Sequence, residues 1–202
     1  MNTITAAPPR PVHPLAYALP LAALIMVIPA LAHAHAGDHA GAAFGAGLVH
    51  PIGGADHVLA MVTVGLWAAI TQGRAVWAMP FGFVAAMVVG GVLGMKGIAL
   101  PGLEPAILAS VMVLGAAVAL ALRPHLAVTV ALIAVFGVAH GNAHGIEATS
   151  GIGFAAGFVI SSVALHLIGL AAGLGLRRAG QARLSRGLGA GAAVAGLALA
   201  FG

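Results

Sequence analysis

His50-Pro51-Ile52-Gly53-Gly54-Ala55-Asp56-His57, followed directly by Val58-Leu59-Ala60-Met61-Val62-Thr63-Val64-Gly65-Leu66-Trp67, decides how this chain is read. The second part is a nearly continuous apolar run with the character of a helix in lipid. The first part brings two imidazoles and a carboxylate to the mouth of that run and interrupts it with a proline and paired glycines. Proline removes a backbone donor and clashes with the preceding turn, and glycine weakens a helix. The stretch therefore reads as a span broken near one end. Irregular backbone is tolerated at membrane depth only where it is buried in protein or lines a cavity.

The composition points the same way. Of 202 residues, 61% are hydrophobic and 6% charged, and the mean hydropathy is +1.11. A soluble domain carries roughly a quarter charged residues, so the chain reads as an integral membrane protein with no separate soluble domain. Its length leaves room for six or seven spans of about 20 residues. The formal charge of +4 comes almost wholly from arginine. In a membrane protein that excess speaks to orientation, not to nucleic acid. The absence of cysteine excludes disulfides, thiolate metal sites and a cysteine nucleophile. Ten histidines against four acids are the anomaly, because ionisable groups within a membrane are costly and tend to mark function.

Residues 1–34 have the pattern of an export signal: Arg10, an apolar core over 15–31, and Ala32-His33-Ala34 as a small-x-small cleavage site. Pro20 and Pro29 make this segment a poor permanent span. The expected mature domain, 35–202, divides into six apolar runs. The first is the broken one, ending near Ile70. The second covers 76–95, the third 105–122, the fourth 125–144, the fifth extends to 176, and the sixth covers 187–202. The expected fold is thus all-α, with six transmembrane helices after a cleavable signal peptide.

Alternate connections hold Arg74, then Arg123, then Arg177, Arg178, Arg183 and Arg186, while those between them hold only Lys96, partly offset by Glu104. By the positive-inside tendency the arginine-bearing loops are cytoplasmic. Trp67 and Trp77 flank the first of them, where interfacial aromatics belong. Both mature termini then face outward, and the expected location is a bacterial cytoplasmic membrane. Glycines four apart, at 90/94, 141/145, 153/157, 169/173 and 187/191, read as close helix packing.

This topology places His50, Asp56 and His57 near the outer end of the first span, and His140, His144 and Glu147 near the outer end of the fourth. Residues three and four apart share a helix face, so His140, His144 and Glu147 form one stripe, and Met61 continues the stripe of His57 inward. Imidazole nitrogen with carboxylate oxygen suits nickel, cobalt, zinc or iron. A carboxylate can instead orient a ligating histidine from behind. The expectation is one site shared by two clusters, holding a transition-metal ion that the chain carries across the membrane. His166, alone in the fifth span and deeper, reads first as a hydrogen-bonded core histidine and second as a relay ligand. His35 and His39, beside Asp38, read equally as outer metal gatherers or as a processing remnant. Asn142 faces either a neighbouring helix or the path.

Two segments carry a family resemblance. His50-x5-Asp56-His57 with the run that follows it, and Ala139-His140-Gly141-Asn142-Ala143-His144-Gly145-Ile146-Glu147, resemble the two signatures of the HupE/UreJ family. The likeness extends over the whole expected mature chain. It implies a small nickel, sometimes cobalt, permease of hydrogenase or urease systems, with a signal peptide and six spans. By resemblance, His50, Asp56, His57, His140, His144 and Glu147 handle the metal, which is a transported substrate and not a permanent cofactor. Ala139 departs from the family's usual phenylalanine but removes no ligand.

No nucleotide-binding loop is present, and no enzyme activity is expected. The readings set against transport are an intramembrane metalloenzyme of di-iron type, for which six candidate ligands with two acids are few, and a membrane metal sensor or delivery subunit, against which the lack of a soluble domain counts.

Overall fold

The computed structural model describes residues 39–147 and 151–201, and at 39, 40 and 147 only the backbone. The expected leader over 1–34, and His35, lie outside the described residues. Among those described, the chain is helical throughout: α1 His39–Gly53, α2 Ala55–Thr71, α3 Ala75–Met95, α4 Leu103–Ala119, α5 Leu126–Glu147, α6 Gly151–Arg178 and α7 Ala182–Phe201. The protein is multi-pass. Four helices, α3, α5, α6 and α7, are long and apolar enough to cross a membrane, and the bent pair α1–α2 makes a fifth if counted as one span. At 17 residues, α4 is about 25 Å long, a little short of the hydrocarbon core.

The opening stretch breaks where its residues require. Pro51 sits inside α1, Gly54 is extended at φ −104° and ψ 120°, and the axes of α1 and α2 differ by 80°. The bend sets Asp56 in the first turn of α2, where the helix dipole favours a negative charge.

The helices pair with backbones almost in contact. A Cβ on Gly141 would stand 1.9 Å from Met87 O, one on Gly145 2.2 Å from Gly91 O, and one on Gly137 2.5 Å from Phe83 O. These partners advance together, so α3 and α5 are parallel. A Cβ on Gly169 would likewise meet Val62 O at 1.9 Å, while Gly173 abuts Leu66 and Ala69, making α2 and α6 parallel as well. Gly115 faces Gly189 and Ala193, and Gly196 faces Val111, so α4 and α7 are antiparallel. These directions are those of a chain that reverses at each connection. The glycine reading needs one correction. Gly187 and Gly191 meet nothing within 4 Å, and α7 packs instead through Gly189 and Gly196, because the packing face is set by the partner helix and not by spacing alone.

Three bonds gather the arginine-bearing connections at one end. Arg177 Nη1 donates to Gln72 Oε1 at 2.8 Å, Trp67 Nε1 to Leu122 O at 2.8 Å, and Arg186 Nε to Ala119 O at 2.7 Å. Two expectations change here. Trp67 is 1% exposed, unlike Trp77 at 68%, so it is a core residue bonded to the end of the third apolar run and not an interfacial anchor. None of Arg177, Arg178, Arg183 and Arg186 is in a loop, since α6 runs to Arg178 and α7 begins at Ala182. Arginine is a good helix former, and Arg186 meets a carbonyl at the C-terminal end of α4, where a cation is favoured.

At the opposite end, Asn142 proves structural. Its Oδ1 accepts from Leu100 N at 2.9 Å, and its Nδ2 donates to Ile98 O at 2.8 Å and Gly90 O at 3.2 Å. It thereby pins the connection between α3 and α4 onto α5. Asn142→Leu strands those backbone groups. It is expected to destabilise the fold by about 2 kcal/mol, seen as a lower thermal unfolding midpoint in detergent. An unchanged midpoint would mean that the connection is held by other contacts.

Candidate metal site

The end that Asn142 secures is also where the histidines meet. His57 Nδ1 lies 2.9 Å from Asp56 Oδ1, His57 Nε2 contacts His144 Nε2, and His144 Nδ1 lies 2.9 Å from His50 Nε2. The His140 ring stands 4.7 Å from that of His57. The two clusters of the sequence are therefore one cluster, with α1, α2 and α5 each contributing. Phe154 and Phe158 of α6 wall it on one side, 5.2 Å from His50 and 4.4 Å from His144 between ring centroids. Burial increases inward. The Asp56 side chain keeps 25% of its exposure and His50 is half-buried, whereas His57 and His144 are buried and His140 is sealed.

One set of tautomers, assigned from the bonding, accounts for the outer contacts. A carboxylate only accepts, so His57 Nδ1–H donates to Asp56 Oδ1. This leaves the Nε2 lone pair of neutral His57 turned toward His144 Nε2–H, and His144 Nδ1 then accepts from His50 Nε2–H. A chain of imidazoles aligned by one carboxylate is the arrangement in which a histidine is prepared as a ligand. Gly54 makes it possible, since a Cβ there would stand 2.8 Å from Asp56 Oδ1 and 2.9 Å from His57 Nδ1.

His140 is set by a residue that the sequence reading passed over. Ser110 Oγ donates its single proton to Ile107 O at 2.6 Å and lies 2.9 Å from His140 Nε2. The hydroxyl proton being spent, His140 must donate through Nε2, and the Nδ1 of the neutral ring keeps its lone pair. That nitrogen is buried with no hydrogen-bonding partner among the described residues. Ser110 and Glu104 are the polar side chains of an otherwise apolar helix, which was the available signal.

The match to known proteins accords with the sequence motifs. The family described as HupE / UreJ protein matches residues 21–199. The chain belongs to the HupE/UreJ family. Protein HupE of Rhizobium leguminosarum bv. viciae is 45% identical over 184 residues, 88% of this chain and 94% of that protein. No solved structure matches the chain.

In this HupE/UreJ member, among the described residues, no group of three or more histidine and acidic side chains is arranged to hold a metal ion. Nitrogens of His50, His57 and His144 are engaged with one another, and His57 Nδ1 with Asp56. Glu147 closes α5, one turn beyond His144, and its side chain lies outside the described residues, as does that of His39. Met61 is fully buried in the core. His166 lies midway along α6, fully buried, with Nδ1 donating to Ser162 O at 2.7 Å. It is thus bonded, as the first reading expected, but through only one of its nitrogens. Beside the site a cavity of about 480 Å³ is lined by carbon side chains such as Val88, Val92, Met95 and Ile152, with His144 also reaching it. Such a surface suits an acyl chain better than a hydrated cation.

Proposed function

We propose that the protein is a permease that takes up Ni²⁺, and by the same donors Co²⁺, from the end where the histidines gather to the end where the arginines gather. The observation that carries this reading is the cluster itself: four imidazoles and a carboxylate, drawn from three helices, grading from half-exposed to sealed inside a membrane protein. The similarity to Protein HupE and the resemblance to nickel permeases support it. The bent pair α1–α2 serves as the first crossing and α4 as the third, giving six. Both ends of the mature chain then lie outside the cytoplasmic membrane.

In this reading Asp56, His50 and Glu147 receive the partly hydrated ion. The ion then exchanges the proton contacts of His57 and His144 for bonds to nitrogen, and His140 Nδ1 offers the next lone pair. Imidazole and carboxylate suit these borderline ions better than magnesium or calcium. An ion must displace the contacts these nitrogens make with one another and with Asp56, which weakens its binding, as passage requires.

The test is radioactive nickel uptake by cells or vesicles containing the protein, with cobalt, zinc and magnesium as competitors. Saturable uptake suppressed by cobalt and not by magnesium is expected. No uptake above background, or stoichiometric iron with an oxygen-sensitive optical spectrum, would overturn the proposal. Protons compete with metal for the same nitrogens, so uptake is expected to weaken in acid, which repeating the assay at falling outer pH checks.

A further inference from the structure

Two imidazole nitrogens of this protein hold lone pairs that no described residue uses, and they belong to rings that share one neighbour. His140 Nδ1 is one, by the Ser110 argument above. His166 Nε2 is the other. A carbonyl oxygen only accepts, so His166 donates to Ser162 O through Nδ1, and the Nε2 of the neutral ring is an acceptor left bare in the core. The Phe83 ring lies 5.5 Å from His140 and 5.1 Å from His166 between centroids, tilted by 54° and 56°. Both histidines are 0% exposed. Buried acceptors are nearly always bonded, and a histidine kept only for packing would gain from a partner at its second nitrogen. Neither has one.

We propose that His140 Nδ1 and His166 Nε2, whose rings both pack against Phe83, form an inner two-nitrogen station for a borderline divalent cation such as Ni²⁺ or Co²⁺. The ion reaches it from the outer cluster through His140, whose ring already stands 4.7 Å from that of His57. This inference rests on the permease reading and adds a second stopping place, midway along α6. The donor chemistry sets the class of ion. Neutral imidazoles, with no carboxylate beside them among the described residues, favour borderline transition metals over hard cations. Two ligands completed by water hold an ion only in transit. The scaffold at this depth is rigid, because a Cβ on Gly65 would stand 2.1 Å from His166 O. The α2 and α6 backbones are thus in contact just where the ring is anchored, and Phe83, itself fully buried, packs against both rings.

The experiment pairs a Co²⁺ titration of the purified protein in detergent, read by visible absorption, with nickel uptake in cells. Wild type is expected to bind one Co²⁺ that depends on Asp56 and a further one that depends on His166. His166→Gln keeps the Asp56-dependent ion, loses the other, and lowers uptake by about tenfold, while eluting as the same monodisperse species. If His166→Gln takes up nickel at the wild-type rate, the inner station is overturned and the permease stands. If wild type itself takes up no nickel, it is the permease reading that fails. Should the variant not fold, the wild-type titration still decides: binding that stops at a single equivalent overturns the station.

Discussion

Asp56→Asn is expected to lower nickel uptake by about 10- to 100-fold in a protein that remains folded. Asp56 Oδ1 accepts the Nδ1 proton of His57 at 2.9 Å, and that bond turns the Nε2 lone pair of His57 into the cluster. Asparagine has the same shape and still offers an oxygen, so the substitution leaves the packing and removes the charge. Two consequences follow. The amide can also rotate to present its NH₂, and His57 is then free to adopt the other tautomer. The entrance also loses a negative charge that offsets the incoming cation where water is scarce. The cost to stability should be small, about 0.5 kcal/mol from the first turn of α2, because the carboxylate keeps part of its exposure. The measurements are initial uptake rate, Co²⁺ titration and thermal midpoint together. Uptake at the wild-type rate in both Asp56→Asn and Glu147→Gln would sink the proposed entrance. A collapse of the midpoint would mean that Asp56 serves the fold and not the ion.

The second large effect concerns the scaffold. Gly141→Val is expected to destabilise the protein by roughly 3 kcal/mol, enough to abolish accumulation in the membrane. A Cβ at this position would stand 1.9 Å from Met87 O, 2.6 Å from its carbonyl carbon and 2.8 Å from its Cα. Those atoms are backbone, so relief requires α3 and α5 to separate along the whole run from Gly137 to Gly145. That movement would also displace His140 and His144, which flank Gly141 on α5. The control is Gly187→Ala. This glycine belongs to an equally regular four-residue pattern, yet it faces open space. There the methyl group only improves helix propensity, and a gain of up to about 1 kcal/mol is expected. The two midpoints should move in opposite directions. If Gly141→Val melts like wild type, the close contact between α3 and α5 is not how the bundle is held.

That contrast separates what could be read in the sequence from what could not. The all-helical fold, the break at 50–54 and the common end of the two histidine clusters were legible, because hydropathy, proline, glycine and arginine act locally or through alternation along the chain. Spacing alone could not tell Gly141 from Gly187, nor a lipid-facing Trp77 from a buried Trp67, because those distinctions depend on which helix lies alongside. Arg183 and Arg186 follow the same rule: charge in a sequence suggests a helix end, whereas Arg186 finds a carbonyl on a neighbouring helix.

The site divides along the same line. The sequence by itself determined that imidazoles and a carboxylate would stand in lipid-embedded helices at one end of the protein, since their cost there follows from composition and depth. Only the tertiary structure decided which nitrogens remain available. Ser110 spends its proton on Ile107, Asp56 holds His57, and Ser162 O holds one side of His166. The first and last of these arrangements each leave a lone pair that no described residue uses, and a tautomer is chosen by the partner that the folded helices bring to the ring, which no spacing along the chain records.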